Sequence, residues 1–526
     1  MSAFIAEPCD ESVIRSAPAA APCSKHEGRW VLVATVLASS MAFIDSTVVN
    51  VALPALQANL NATIVDVQWV IEAYSLLLAA LLLVGGSLGD HCGRRRIFLL
   101  GVAVFALASA WCGCAFDIRQ LIVGRAVQGF GAALLVPGSL AIISSSFEER
   151  ERGRAIGTWS GFSAITTAIG PVVGGWLIEH VSWRAVFFIN VPIAVLVILI
   201  SVKSVPESSD KESAGLDWLG AIIGTVGLGA LVYGLIESSR LGLGDRSVIV
   251  VLVAAILVLI VFFFVEARLS QPMLPFALFR SPTFTGTNLL TFLLYAALGG
   301  TLFFLPLNLI QIQHYAPTAA GAALLPFILI MSLLSRWSGG LITVYGPKLP
   351  LIVGPMIVAA GYMLFILPSA GGSYWTTFFP PAVVLGLGMT ITVAPLTTTV
   401  MSSVPQNRAG VASGVNNAVA RTAGLLAIAV LGIVMLQVFK RAFDRRLAES
   451  RLPTSVIQSV ETQSTKLAAI TIPENLDLAT KQLIRQAVDE SFVAGFRVVM
   501  VIGATLAGAS AIIALTLIRA DPRNDQ

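Results

Sequence analysis

Three ionisable residues stand inside otherwise apolar runs: Asp45 in F-I-D-S-T-V-V-N-V-A-L-P, Glu72 in W-V-I-E-A-Y and Arg125 in L-I-V-G-R-A-V-Q-G-F-G-A-A. An acid near the middle of a bilayer costs about 2.5 to 3.5 kcal/mol on insertion scales, so it is tolerated where it faces a polar cavity or a partner. At about 1.5 Å per helical residue, Asp45 lies about 14 Å, Glu72 about 8 Å and Arg125 about 8 Å from the outer ends of their runs, so the three can meet in depth. Two acids sharing one base can differ in protonation and exchange a proton as the base moves, which is what coupling to a proton gradient needs. A fixed ion pair between Asp45 and Arg125 is the alternative, and Glu72 could instead face lipid or a seam between bundles. Gln128, three residues after Arg125, shares its helix face.

Those residues need long apolar helices to hold them, and the composition supplies little else. The chain has 526 residues, 56% hydrophobic and 12% charged, with a mean hydropathy of +0.85, which excludes a soluble protein of this length. A net charge of +4 spread over short loops excludes a nucleic-acid surface. The five cysteines, Cys9, Cys23, Cys92, Cys112 and Cys114, form no C-x-x-C pair, so free thiols and no metal site are expected. Residues 1–28 are polar and rich in Ala, Pro and Ser, without the order of a cleaved signal peptide, and read as a disordered cytoplasmic tail.

Apolar runs of about 18 to 25 residues give fourteen spans, in 30–54, 67–88, 97–115, 120–142, 155–178, 185–203, 217–237, 247–266, 284–311, 318–343, 350–368, 375–400, 409–437 and 494–518. With both termini cytoplasmic, the inner tails and loops hold 17 Lys and Arg, against 4 in the short outer loops, namely Arg119, Arg184, Arg240 and Arg246. The connection after the second span reads G-S-L-G-D-H-C-G-R-R-R, from Gly86 to Arg96, and Gly339, Leu341, Gly346 and Lys348 repeat its spacing at an offset of 253 residues, with Thr343 in the place of Asp90. A loop repeated at one offset implies a duplicated membrane unit. The expected plan is an all-α integral membrane protein: a first six-helix bundle in 29–203, linkers and two inserted helices in 204–283, a second six-helix bundle in 284–518 and a cytoplasmic tail in 519–526. Residues 438–493 form one long outer segment, expected to be a solvated spacer, with a lid or a partner surface as the alternative. Its end, with Leu483, Ile484, Val488, Phe492 and Val493 at helical spacing, is expected to be an amphipathic helix.

Gly170, Pro171, Gly174 and Gly175, in G-P-V-V-G-G, form a kinked small-residue face on which helices can hinge, and packing alone would account for it. Asn50, Gln128, Asn416 and Asn417 could line a substrate path, with helix-to-helix hydrogen bonding as the plainer role; Arg336 and Arg421 are further polar groups at or near membrane depth. The four histidines, His26, His91, His180 and His314, fall in the tail or at span ends.

Taken in order, these motifs resemble the major facilitator superfamily. Gly86, Leu88, Asp90, Gly93, Arg94 and Arg95 match its loop signature, and Arg125, Gln128, Gly129 and Gly131 its R-x-x-Q-G-x-G-A motif. D-S-T-V-V-N-V-A-L-P, S-W-R-A-V-F-F-I-N-V-P from Ser182 and R-A-G-V-A-S-G-V-N-N from Arg408 are similar to the fourteen-helix drug:proton antiporters of the EmrB/QacA type. The resemblance implies the six plus two plus six plan, a loop that latches the halves through Asp90 and Arg94, a proton-relay role for Arg125, and export, which the Gly170–Gly175 motif marks despite Thr166 standing where a glycine is usual.

The function expected is proton-coupled efflux by alternating access. Its substrates are expected to be small amphipathic or cationic compounds, its surroundings the lipid bilayer of the cytoplasmic membrane. No nucleotide-hydrolysing loop occurs, so no cofactor beyond the proton gradient is expected. In a cell with two membranes a periplasmic adaptor and an outer-membrane channel would complete the route. Export of one metabolite or antibiotic, import on the same fold, and a non-transporting sensor stay open; an integral membrane enzyme lacks a paired nucleophile and base.

Overall fold

The computed structural model describes residues 25–209, 217–269, 272, 274–405, 409–450 and 452–519. Most of both terminal tails, with Cys9 and Cys23, and the side chain of Arg336 lie outside the described residues. The helices are α1 (Lys25–Leu60), α2 (Ile64–Cys92), α3 (Arg94–Cys114), α4 (Ile118–Ser146), α5 (Glu149–His180), α6 (Asn190–Ser204), α7 (Trp218–Leu241), α8 (Arg246–Glu266), α9 (Pro282–Leu307), α10 (Leu325–Gly339), α11 (Lys348–Leu364), α12 (Phe379–Ser402), α13 (Ala409–Glu449) and α14 (Leu478–Leu517). Among the described residues, thirteen helical segments are long and apolar enough to cross a membrane, and the 17-residue α11 is a shorter apolar fourteenth.

Side-chain caps start several of these helices. Thr63 and Asp66 form a reciprocal capping box on α2, while Asp117, Asp245, Ser281 and Asp477 accept first-turn amides of α4, α8, α9 and α14. The sixth span is broken, a single turn at Ala185–Phe188 preceding α6, and the tenth likewise, Pro317–Ala322 preceding α10.

The duplication shows in the backbone. Gly93 (φ 106°) turns α2 into α3, and Gly346 (φ 70°) turns the second copy into α11, both in the left-handed region that glycine adopts freely. The turn expected over Gly86–Arg96 is shorter than its motif: α2 runs on to Cys92, and Gly93 alone separates it from α3.

At the outer end, as the charge asymmetry names it, the two bundles share one buried apolar cluster, in which Val48, Leu53 and Val65 join Phe304, Phe327 and Phe439. The inner parts of α1 to α4 form a separate core around Val31, Ala38, Phe98 and Phe105. The structure is therefore closed at its outer end. α7 packs on α2, with Trp69 and Tyr233 rings 5.8 Å apart. α8 packs along α7, with Leu252, Leu259 and Phe262 against Gly234, Gly227 and Gly224, and presents its other face, including Val253, Ile256, Leu257 and Ile260, to lipid.

The outer segment 438–493 corrects the expectation of a solvated spacer. α13 and α14, of 41 and 40 residues, are each about 60 Å long, twice the hydrocarbon core. They continue past the membrane as a hairpin whose core buries Phe439, Phe443, Leu447, Ile484, Val488 and Phe492. The amphipathic helix is present, although Leu483 points outward, 38% exposed. The hairpin also reaches the first bundle: Lys466 Nζ donates to Asn61 Oδ1 at 2.6 Å. Arg485 Nη2 donates to the Gln311 carbonyl at 2.7 Å, and the Gln311 side chain bonds Gln57 at 2.8 Å.

Candidate functional site

Five helices of the first bundle converge on Asp45. From α4, Arg125 Nη1 donates to Asp45 Oδ2 at 2.5 Å and Gln128 Nε2 donates to Oδ1 at 2.8 Å. Asn190 of α6 donates to the same Oδ1 at 3.3 Å, and Ser109 of α3 joins Gln128 and Asn190 at 2.9 and 2.8 Å. Arg125 Nε donates to the Val70 carbonyl of α2 at 3.0 Å, and its guanidinium lies 4.2 Å from the centre of the Tyr74 ring. Asp45, Arg125, Gln128, Ser109 and Asn190 are all buried. A charge pair held this way satisfies its lone pairs and protons inside protein, the condition for an ion pair at membrane depth. Close backbone approach makes it reachable: a Cβ on Gly129 would collide with the Tyr74 backbone.

Glu72 is not part of that network. Val70 and Tyr74, four residues apart, share the α2 face turned to Arg125, and Glu72 between them points the other way. The expectation of two acids sharing one base is thus corrected by helical phase. Glu72 is fully buried, and neither of its carboxylate oxygens has a hydrogen-bond partner among the described residues. Its neighbours one turn away lead to the other half and to the inserted pair: Gln68 Nε2 donates to the Ile428 carbonyl of α13 at 2.8 Å, and Leu76 lies against Gly229 of α7.

The other expected residues separate into distinct roles. Asn50 bonds the Ser46 carbonyl of its own helix at 3.1 Å. Asn416 joins α13 to α9, donating to Asn288 Oδ1 at 3.1 Å and to Thr291 Oγ1 at 2.7 Å, the plainer of its two readings. Asn417 lines a cavity of about 280 Å³ between the bundles.

At the inner loop, Asp90 and Arg94 form an ion pair at 2.7 Å. The backbone of Arg94 donates to the Ser208 carbonyl at 2.9 Å, that of Arg95 to Glu207 Oε1 at 3.0 Å, and the Arg95 guanidinium to the Val205 carbonyl at 3.1 Å. The loop is therefore fastened to the strap leaving α6. Gly86 packs against Pro137.

Gly170 and Gly174 let α5 press on Thr47 and Val48 of α1, while Gly175 meets the Pro317 backbone of the other half and Gly321 meets the Pro171 carbonyl. Thr318 Oγ1 donates to Glu179 Oε2 at 2.6 Å across the same seam. In S-W-R, Arg184 lies 4.3 Å from the Trp183 ring and donates to the Ala115 carbonyl at 2.7 Å, clamping the turn before α6 to the end of α3. Sequence reasoning missed Ser109, Asn190 and Glu207. Asn190 stands inside a quoted motif, whereas Ser109 and Glu207 carry no local signal.

Two six-helix bundles closed around buried charge and a seam cavity define a membrane transporter. The chain belongs to the Major Facilitator Superfamily, whose family model matches residues 35–428. It is 33% identical over 510 residues to the tetracenomycin C resistance and export protein of Streptomyces glaucescens, covering 95% of this chain and 94% of that one. It is 34% identical over 410 residues to the multidrug resistance protein Stp of Mycobacterium tuberculosis, covering 77% and 75%. Among solved structures, a bacterial homologue of the human lysosomal transporter Spinster, inward-facing and occupied, superposes with a TM-score of 0.67 at 16% identity, covering 96% of this chain and 99% of that one, a likeness of fold.

Proposed function

We propose that the chain is a proton-coupled exporter of small amphipathic compounds, working by alternating access from the cytoplasmic membrane with both termini in the cytoplasm. The observation that carries this reading is Glu72, a buried carboxyl without a hydrogen-bond partner among the described residues, at the seam where α2 meets α13 and α7. Rocking the halves to open the outer end slides α2 against α13. Glu72 then meets outside water and takes up a proton, and closing returns it to a place where its charge would have no compensation. Asp45, Arg125 and Gln128 form a second polar centre inside the first bundle, whose hydrogen bonds shift as α1 and α4 adjust to the moving half.

The export direction is supported by the resistance and export names of the relatives and by the α5 motif, in which Gly175 and Pro171 meet Pro317 and Gly321 at the outer seam. The Asp90–Arg94 loop acts in this reading as an inner fastener that holds the first bundle and the strap 205–208 together through each cycle. In a cell with two membranes, the α13–α14 hairpin is the surface that an adaptor and an outer-membrane channel would meet.

Accumulation of a fluorescent drug in cells expressing the native chain or its Glu72→Gln and Asp45→Asn variants, with and without a protonophore, tests the reading. Lower accumulation that needs the gradient and at least one of the acids supports it. Equal accumulation in every condition, with the protein shown in the membrane, overturns it.

A further inference from the structure

Between α13 and α14 the chain makes one short turn that touches both halves of the molecule. Residues Ser464–Ala469 form a tight 3₁₀ turn, packed against α13 and α14, which carry it, and also against α1 and α2 of the first bundle. Ser464, Leu467 and Ala468 are buried there, and Leu467 belongs to the apolar cluster that the bundles share at the outer end. Its backbone stands at φ 53° and ψ −123°, a conformation that a residue with a Cβ rarely adopts. The turn is tied on both sides. Toward the first bundle, Lys466 Nζ donates to Asn61 Oδ1 at 2.6 Å, and the Lys466 carbonyl accepts from Gln57 Nε2 at 3.5 Å. Toward its own half, Arg485 donates to the carbonyls of Gln311 and Ala468 at 2.7 and 3.5 Å. Gln311 stands on a single π-helical turn, Asn308–Ile312, and its side chain completes the circuit by donating to Gln57 at 2.8 Å.

We propose that residues 464–469 are a sprung clasp over the outer mouth, which fastens the halves in the outer-closed state and lets go of the first bundle whenever that end opens. The proposal rests on the alternating-access reading above and gives the hairpin a part in it within the chain itself. A turn in contact with both halves cannot keep both sets of contacts when they part. Continuity with α13 and α14, and the bonds from Arg485, keep it on the second half. The contacts that break are therefore those with Asn61 and Gln57. Leu467 then leaves the seam, and its backbone returns to an ordinary conformation. Burial and hydrogen bonds pull toward closure while backbone strain pulls toward release, so neither state holds the other off by a wide margin, which is what a two-state gate requires.

The rate at which a membrane-impermeant thiol reagent labels a cysteine placed at Ile428 tests this in intact cells, with the full chain freed of its exposed native cysteines. With dilute reagent that rate follows the fraction of molecules open at the outer end. Lys466→Ala and Asn61→Ala should each raise it about two- to tenfold, the worth of one hydrogen bond, and the double variant should label no faster than the faster single one. Leu467→Ala removes the burial and keeps the strain, whereas Leu467→Gly removes both. The glycine variant should therefore label about five- to hundredfold more slowly than the alanine variant. Unchanged labelling in the Lys466 and Asn61 variants, additive increases in the double variant, or a glycine variant as fast as the alanine one would each overturn the proposal. No arm of this measurement needs substrate or a proton gradient. The expected rates beside drug accumulation indifferent to a protonophore would sink export and keep the clasp, whereas gradient-driven export with labelling unmoved by every variant would keep export and sink the clasp.

Discussion

Gln68 of α2 donates its side-chain amide to the Ile428 carbonyl of α13 at 2.8 Å, so one half of the molecule grips the backbone of the other a single turn from Glu72. Gly432, one turn further along α13, leaves just enough room, since a Cβ there would run into the Gln68 amide. Gln68→Ala should destabilise the outer-closed state by about 0.6 to 1.7 kcal/mol, the range of interhelical hydrogen bonds in membranes. Raised labelling of a cysteine placed at Ile428 by an outside thiol reagent would show it; unchanged labelling would mean that the seam is held without this bond.

Asp45→Asn leaves the Arg125 guanidinium buried without its counter-charge, which costs about 3 to 5 kcal/mol where a buried pair is broken. The double variant Asp45→Asn with Arg125→Gln should recover at least half of that loss. Thermal unfolding in detergent, followed for both variants, checks the pair; additive losses would show that the two residues act independently.

At the outer seal, Gly175 lies against the Pro317 backbone, and Thr318 is bonded to Glu179 at 2.6 Å. Gly175→Val inserts side-chain volume where the halves touch and should hold them apart at that end. Spin labels on His180 and Ala319, in a chain freed of its reactive cysteines, should report a longer distance distribution in the valine variant. An unchanged distribution would show that α5 yields locally.

Gly93 and Gly89 differ in what an added methyl would meet. Gly93 has a φ of 106° and the Glu207 carboxylate beside it, while a Cβ on Gly89 would stand in ordinary contact with the Arg94 backbone at 3.9 Å. Gly93→Ala should therefore lower stability by about 1 to 3 kcal/mol, the cost of a sparsely populated backbone conformation, and Gly89→Ala should be near neutral or slightly favourable. Melting temperatures of the two variants side by side provide the check.

Much of this arrangement was legible in the chain because a bilayer imposes strong periodic demands. Fourteen apolar runs, the loop repeated from Gly86 to Gly339, and the common depth of Asp45, Glu72 and Arg125 all follow from span length and helical rise. The face on which Glu72 lies was not legible, since depth places residues along a helix axis and leaves rotation about that axis to the neighbours it packs on. Val70 and Tyr74 face Arg125 only because α4 lies on that side. The outer hairpin was read as a spacer because Phe439, Phe443 and Leu447 stand beyond the span that ends at 437, interleaved with charged residues, and their partners, Ile484 and Val488, lie about forty residues further along the chain. Glu207 was missed for a similar reason: its contact with Arg95 joins residues 112 positions apart, and nothing local announces it.

The central claim is that carboxyls in the first bundle carry protons against substrate. The most direct measurement is proton release on substrate binding by the purified chain in weakly buffered detergent, for the native protein and for Glu72→Gln and Asp45→Asn. Substrate should release protons from the native chain between pH 5 and 8, a window set by the need to exchange them at working pH, and removing the coupling carboxyl should abolish that release while leaving substrate binding measurable. Undiminished release from both variants, or none from the native chain despite saturating binding, would contradict the account.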